Sequence, residues 1–390
     1  MVNNKKIKEL LNRGVEEIID AKDLEAKLLA GKSLRIKLGI DPTSPNIHLG
    51  RSIPLLKLRD FQELGHQIVF IIGDFTGTIG DTSDKNSERP MLDEKIIKEN
   101  IKNYIEQAGK VIDVSKCEIY YNSEWLARLE YKEVCRQANI FSINEFISRD
   151  NIRRRLDAGS RVSLREIMYP MMQGYDSVMI KADVEIGGTD QRFNLLAGRE
   201  MQKSYGQVPQ NIITNPLIEG LDGRKMSSSW GNTVNLLDSP SEMFGKIMSL
   251  ADEFIIKYFT LLTRTDEGEI KKYDEALKKG ANPRDYKIML AKAIVSFYHS
   301  EQEALEEEQN FIKVFSKKEM PNEIAELKPA TYNLISILIE AELATSKSEA
   351  KRVIEQGGIK INQQVVKDLD FVVPSGAILQ RGKLKFLKII

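Results

Sequence analysis

Two cysteines, three histidines and two tryptophans are all that 390 residues hold of those types. Cys117 and Cys135 make neither a disulfide framework nor a zinc-ligand spacing, which suits a reducing compartment. Three histidines leave little room for a histidine-rich metal centre. Charge of one sign is missing too: Lys+Arg and Asp+Glu both total 57. No overall field therefore draws in nucleic acid, and any RNA contact rests on local patches. No apolar run reaches membrane length, and the start, MVNNKKIKELLNRG, has no secretory apolar core. A cytoplasmic chain with no membrane partner is expected. Internal repeats and low-complexity tracts are absent as well. What remains, 42% hydrophobic and 29% charged residues, is the composition of an ordinary soluble globular protein. The length allows roughly two or three domains.

One stretch organises the rest, Arg35 to Asp74. Ile36, Leu38 and Ile40 alternate as a strand does. Pro42 and Pro45 then each remove a backbone donor and fix φ, so Asp41-Pro42-Thr43-Ser44-Pro45 breaks regular structure. Leu55, Leu56, Leu58, Phe61 and Leu64 recur near helical spacing, with Gly65 placed to end the helix. Pro54 suits that helix only if the helix begins just before it. Ile68 to Ile72 is an unbroken apolar run, as expected of a strand buried on both faces of a parallel sheet. Strand, tight turn, helix and strand make the first half of a Rossmann-like nucleotide-binding α/β domain with a parallel sheet. Its loop delivers His48, Gly50 and Arg51 to a helix start, where N–H groups and the helix dipole favour phosphate.

Around it, apolar residues at helical spacing over residues 5–30 (Ile7, Leu10, Leu11, Val15, Ile18, Ile19) predict a peripheral helix pair. GDFTGTIGDTSDKNSERP, residues 73–90, is a loop dense in Gly, Asp, Thr and Ser. Residues 91–180 read as a mostly helical insertion between the sheet halves. ADVEIGGTDQRFNLLAGREMQ, residues 182–202, repeats the strand–glycine turn–helix pattern; Asn211 to Ile218 is a further strand, and residues 219–232 form a polar loop. The α/β domain thus spans 1–232. An α-helical domain follows over 233–320, then a charged linker at 321–330 holding Pro321 and Pro329. Residues 331–390 read as a small α+β module. It has two short helices, a strand from Ile359 to Val366, and a basic end with Arg381, Lys383, Lys385 and Lys388.

Two loops carry the chemistry. HLGR at 48–51 opens the nucleotide half, and RKMSSS at 224–229 closes the sheet region. Either alone is weak, since a histidine–glycine turn occurs by chance and KMSSS serves equally as a solvated loop. Flanking an α/β domain in this order, they resemble the HIGH and KMSKS signatures of class I aminoacyl-tRNA synthetases. DPTSPNIHLG, GDFTGTIGDTS, YPMMQGYDSV and DVEIGGTDQRFN extend the resemblance to bacterial tyrosyl-tRNA synthetases, over essentially the whole chain. The C-terminal module is similar to the RNA-binding fold of ribosomal small-subunit protein four. The resemblance implies that the carboxylate of L-tyrosine attacks the α-phosphate of ATP, which enters as its Mg2+ complex, and expels pyrophosphate. The tyrosyl group then passes to the terminal ribose of tRNA(Tyr). It also implies no covalent enzyme intermediate, no tightly bound protein metal, and a homodimer joined through the 91–180 insertion. The helical domain would lie near the anticodon, with the C-terminal module gripping tRNA by backbone and shape.

The resemblance assigns roles residue by residue. His48, Arg51 and Lys225 would stabilise charge on the phosphates, the usual source of catalysis in phosphoryl chemistry. Arg51 stands where the signature has its second histidine, and Ser228 replaces the second lysine of KMSKS, leaving Lys225 and Arg224 to carry that loop's charge. Asp41, Thr43, Gly50, Gly188, Asp190, Met226 and Ser227 would hold ATP, Asp190 at its ribose. Asp176 would accept the hydrogen bond of the substrate phenol, while Tyr169, Gln173 and Asp81 hold the ammonium group and Gln191 the carboxylate. Tyr169, Gln173 and Asp176, four and three apart, share one helix face. Gly39 and Lys37 complete the expected tyrosine side. Lys37 sits on the strand where many relatives have a tyrosine near the substrate ring, so whether it lines the pocket is open. Bland readings stand beside these: a packed His48, capping roles for Asp41 and Thr43, a solvated Arg51, Asp176 as a helix surface charge. The alternatives for the whole chain are a tryptophan-activating relative, a non-catalytic RNA-binding paralogue, and a small adenylyltransferase, which lacks the C-terminal module.

Overall fold

In chain order the first sheet is built from β1 (Glu17–Ile19), β2 (Arg35–Ile40), β3 (Gln67–Ile72), β4 (Glu118–Tyr121), β5 (Val184–Gly188) and β6 (Asn211–Asn215). Their spatial order is β1-β6-β5-β2-β3-β4, parallel throughout except for the antiparallel β1 edge. This computed structural model describes residues 4–83, 91–316, 324–341, 343–344, 346–382 and 385–390. It forms two compact units, Met1–Ala304 and Leu305–Ile390. The chain runs outward from β2 to β3 on one side and from β5 to β6 on the other. The order therefore reverses between β2 and β5, and a crevice opens at their carboxyl ends. Ile68 to Ile72 of β3 are fully buried, as their unbroken apolar run requires.

The helix after β2 spans Leu49–Glu63 and begins at His48. It starts five residues before Pro54, earlier than that proline suggests, so the Gly50 carbonyl gets no intrahelical bond from residue 54. The helix ends as expected. Gly65 takes φ +86°, its N–H donates to Gln62, and that of His66 to Phe61, which satisfies two end carbonyls.

Expectations about some elements need correction. Ile18 and Ile19 are strand, not helix: Gly14 at φ +62° stops the first helix (Asn4–Asn12), and β1 pairs Ile18 with Ile213. The region 91–180 is mostly helical, as expected, but it also contributes to the sheet. Its EIYY segment is β4, paired with β3, and its last helix, Leu164–Ile180, packs on the sheet. A four-residue strand leaves almost no periodicity to read. The strand from Asn211 stops at Asn215 because Pro216 cannot continue it. Of the helices after residue 233, those up to Ala304 lie in the same compact unit as the sheet. Arg13 shows how they are held. Its guanidinium donates to the carbonyls of Phe259, Thr260, Thr263 and Thr265 at the end of helix Ile255–Leu262. Tyr298 likewise donates to Ser52 of the helix after β2 at 2.8 Å.

The second unit has its own core, built on Leu334, Ile337, Ile354, Ile359 and Leu379. Its sheet has the order β7-β11-β10-β8-β9, from β7 (Ala325–Leu327), β8 (Ile359–Ile361), β9 (Gln364–Val365), β10 (Ile378–Arg381) and β11 (Lys385–Ile389). Ile359 to Val366 is thus a hairpin instead of one strand. Asn362 and Gln363 both take positive φ, 47° and 71°, the two-residue turn that matches strand twist. The expected linker at 321–330 is described in part. Residues 321–323 lie outside the described residues, and Ala325–Leu327 pairs with β11 as an edge strand. The basic end is partly neutralised, Arg381 by Glu349 at 2.8 Å and Lys388 by Glu326 at 2.7 Å. Lys383 lies outside the described residues.

Candidate active site

A cavity of about 590 Å3 fills the crevice between β2 and β5. Of the residues expected in the site, Gly39, Asp41, Thr43, His48, Gly50, Arg51, Asp81, Tyr169, Gln173, Asp176, Gly188, Asp190, Gln191, Lys225, Met226 and Ser227 all line it. Lys37 does not, and neither does Arg224.

At the closed end, Asp176 is 3% exposed. Trp125 Nε1 donates to one carboxylate oxygen at 2.7 Å and Asn122 Nδ2 to the other at 3.3 Å. Burial pushes this carboxyl up to about 7, against the pull of Lys37 and the two donors. One helical turn back, Gln173 is held on both sides. Its Nε2 donates to Glu185 at 3.1 Å, and its Oε1 accepts from Asn194 at 3.1 Å. Tyr169, another turn back, donates its hydroxyl to Asp41 at 2.8 Å, and burial raises its own pKa well above the ordinary phenol value. Asp81 accepts from the backbone N–H and hydroxyl of Ser83 at 2.9 and 2.5 Å, and Asn194 Nδ2 reaches it at 3.5 Å.

Asp41, placed on the ATP side by resemblance, turns its carboxylate to the tyrosine helix. Beyond Tyr169 it accepts from Thr76 Oγ1 at 2.7 Å. Loss of water lifts its carboxyl to about 6, and these two hydrogen bonds hold it from going higher. Gly73 is what makes room: a Cβ there would lie 2.0 Å from Asp41 Oδ1 and 2.4 Å from Thr76 Oγ1. Lys37 is corrected from pocket wall to support. It is fully buried behind the cavity, where its ammonium pairs with Glu185 at 2.9 Å. The adjacent strands set this position, because Lys37 and Glu185 are register partners on β2 and β5 and point to one face.

The other end is made of loops. His48 is 6% exposed, and its Nδ1 has no hydrogen-bond partner. Burial, with the nearby charges of Arg51 and Lys225, holds its pKa down at about 3, so the ring is neutral. Gly50 leaves the His48 ring room, since a Cβ would sit a tight 3.1 Å from it. Its N–H points to Met226 Sδ at 3.3 Å, which joins the HLGR turn to the KMSSS loop. Arg51 is only partly exposed. It donates to Tyr104 Oη at 2.6 Å, Thr43 Oγ1 at 3.0 Å and the Asp41 carbonyl at 3.4 Å. Lys225 pairs with Asp190 at 2.7 Å. Arg224 turns away to Asp222 and lies over the Trp230 ring, 4.6 Å from its centroid. Asn232 clamps the loop, accepting from Ser227 N–H at 2.9 Å and donating to the Lys225 carbonyl at 3.1 Å. Among the described residues no group of three or more His, Cys, Asp or Glu is placed to hold a metal ion.

Several site residues carry no sequence signal of their own. Asn122 and Trp125 follow β4, inside the region read as an insertion, and only the sheet order brings them to Asp176. Thr76 and Gly73 lie in the GDFTGTIGD loop, whose glycines mark it as special without saying why. Asn194 and Glu185 are polar residues of an otherwise ordinary strand–helix unit.

Comparison with known proteins gives a consistent result. Residues 29–316 match the family described as tRNA synthetases class I (W and Y), and residues 311–389 match the tyrosine–tRNA ligase SYY-like C-terminal domain. The chain is 45% identical to a tyrosine–tRNA ligase of Thermotoga maritima, over 98% of this chain and 96% of that one. It is also 45% identical to one of Photobacterium profundum, over 97% of each. Among solved structures, the tyrosyl-tRNA synthetase of Archaeoglobus fulgidus complexed with L-tyrosine superposes with TM-score 0.63 at 25% identity, over 77% of this chain and 99% of that one. A C-terminally truncated mitochondrial tyrosyl-tRNA synthetase of Aspergillus nidulans shares the fold with TM-score 0.68 at 22% identity, over 80% and 95%.

Proposed function

The chain belongs to the class I tRNA synthetases for tyrosine and tryptophan, among the tyrosine–tRNA ligases, and from that premise we propose how its site residues divide the work. The reaction itself is tyrosine activation by ATP followed by transfer of the tyrosyl group to tRNA(Tyr). In the first step a tyrosine carboxylate oxygen bonds to the α-phosphorus. The bond from that phosphorus to the bridging oxygen breaks, and its electron pair leaves on pyrophosphate. In the second step the terminal ribose hydroxyl displaces AMP.

Asp176 accepts the substrate phenol. The single observation that carries this assignment is the convergence of Trp125 and Asn122 N–H groups on its two oxygens at the closed end of the cavity. They fix a carboxylate that has lone pairs left to accept a hydroxyl. Tyr169, Gln173 and Asp81 take the ammonium group, Asp41 orients Tyr169, Gln191 takes the carboxylate, and Gly39 gives the substrate close approach to the strand. On the ATP side, Gly50 and Gly188 let the nucleotide lie against backbone and Asp190 meets the ribose. Thr43, Met226 and Ser227 line its path. His48, neutral before substrate arrives, donates to phosphate, with Arg51 beside it. Lys225 leaves Asp190 for the pyrophosphate as charge develops there. ATP enters as its Mg2+ complex, the metal arriving with the substrate.

The C-terminal unit grips tRNA, a reading supported by its basic end and its match to the ligase C-terminal domain. A homodimer through the 91–180 region is supported by the exposed apolar side chains of Tyr131, Ile143 and Leu164 there. A cytoplasmic location fits the two free cysteines. Among the described residues no helix is long and apolar enough to cross a membrane. ATP–pyrophosphate exchange with each of the twenty amino acids tests the central assignment. Exchange dependent on tyrosine and magnesium is expected. Equal exchange with phenylalanine, or none with any amino acid, would remove it.

A further inference from the structure

We propose that the buried Lys37–Glu185 pair is a positioning device for tyrosine recognition, fixing Gln173 through both its main chain and its side-chain amide. The inference rests on the assignment of Gln173 to the substrate ammonium. Lys37 and Glu185 are 0% and 1% exposed and face each other at the last paired position between β2 and β5, where the sheet parts to form the crevice. The three N–H groups of Lys37 are matched by three acceptors: Glu185 Oε1 at 2.9 Å, Ser177 Oγ at 2.7 Å and the Gln173 carbonyl at 2.8 Å. Glu185 collects donors from three elements. Gln173 Nε2 and Lys37 reach one oxygen, while Ser177 Oγ, at 3.1 Å, and Gln210 Nε2 reach the other.

The consequence falls on Gln173. Its backbone is tied to β2 through Lys37, its Nε2 is tied to β5 through Glu185, and Asn194 occupies one side of its Oε1. With the amide nitrogen committed, Oε1 is the atom left to address an ammonium group. A buried ion pair is poor value as a source of stability, because apolar residues of similar volume commonly do as well. What it supplies is one geometry, since the carboxylate tolerates only donors around it and the ammonium only acceptors. That geometry is imposed on the helix that also carries Tyr169 and Asp176.

The test compares tyrosine and ATP kinetics in ATP–pyrophosphate exchange for the full chain, Gln173→Ala, and the double variant Lys37→Met with Glu185→Gln, which removes both charges at nearly constant volume. In the double variant the KM for tyrosine should rise roughly 10- to 100-fold, the usual penalty for a misplaced binding group. The turnover number and the KM for ATP should move less than about threefold. Adding Gln173→Ala to the double variant should then raise the tyrosine KM much less than Gln173→Ala does alone. A double variant that keeps the parent's tyrosine KM, whether or not its melting temperature falls, overturns the inference while Gln173→Ala still raises KM. If Gln173→Ala leaves the tyrosine KM unchanged, the ammonium assignment fails and the inference goes with it. Should the double variant not fold, Ser177→Ala decides. It removes the hydroxyl shared by Lys37 and Glu185 and should raise the tyrosine KM several-fold. An unchanged KM there overturns the proposal.

Discussion

The two ends of the cavity are built on different principles. At the tyrosine end, Asp176, Gln173 and Tyr169 project from one helix, each is under a tenth exposed, and each is held by residues of other elements. At the end lined by the HLGR and KMSSS turns, Lys225, Ser227 and Ser228 ride on a loop, and Lys225 pairs with Asp190 at 2.7 Å. Both ends are polar. One is built on a helix and two strands, and the other is built on loops joined by the Lys225–Asp190 ion pair. On the proposed assignment, the difference matches what each end recognises. A phenol and an ammonium group are fixed in shape, so rigid partners discriminate best. A phosphate chain gains charge on its leaving oxygens as reaction proceeds, so cations able to move toward it serve better.

Substitutions at each end should break this contrast in distinguishable ways. The largest effect belongs to Arg51, whose guanidinium already braces Thr43 and Tyr104 beside His48. Arg51→Ala should slow adenylate formation by about 10²–10³-fold, the usual scale for one preorganised donor. Tyrosine affinity should barely change. Arg51→His should recover part of the rate, and pre-steady-state adenylate formation reads both. At the rigid end, Asp176→Ala should lower the preference for tyrosine over phenylalanine by about 10–10²-fold, the scale of one unpaired buried polar group. A folded variant that keeps its full preference would put the phenol elsewhere. The smallest effect is with pH. With the Asp176 carboxyl near 7, only its ionised form accepts the phenol proton without competing, so the tyrosine KM should fall as pH rises from 6 to 8. A change of roughly five- to tenfold follows from the ionised fraction alone. Stability has the opposite sign. Asp41 and Asp176 both have carboxyl pKa values raised by burial, so the stability they contribute is full below pH about 4 and is lost as pH rises toward 6 and 7. Asp176→Asn should flatten that decline in denaturant titrations.

Residues 35–74 show how much a local pattern can say. Alternation, two prolines and a Gly65 stop placed the strand, turn and helix, and the site glycines fell where the backbone must pass close to Asp41, His48 and Asp190. The signature loops and the helix face of Tyr169, Gln173 and Asp176 were equally legible, because helical period and turn chemistry act over a few residues. β1 and β4 were not legible. Short edge strands of three and four residues exist only because a neighbour offers a ladder, and nothing in EII or EIYY announces that neighbour.

Lys37 marks the boundary between the two kinds of information. From sequence alone it was a lysine in the strand beside the substrate, and a pocket wall was a fair reading. Its partner Glu185 lies 148 residues away and meets it only through the register of β2 on β5. The same holds for Asn122 and Trp125 at Asp176, and for Arg51 turning to Tyr104. The longer elements and the residues of the signature loops came from the sequence, because those rest on local backbone preferences and side-chain type. Which charges face each other, and so which groups are fixed and which are free to move, was decided by strand order and register, a long-range consequence of burying both faces of one sheet.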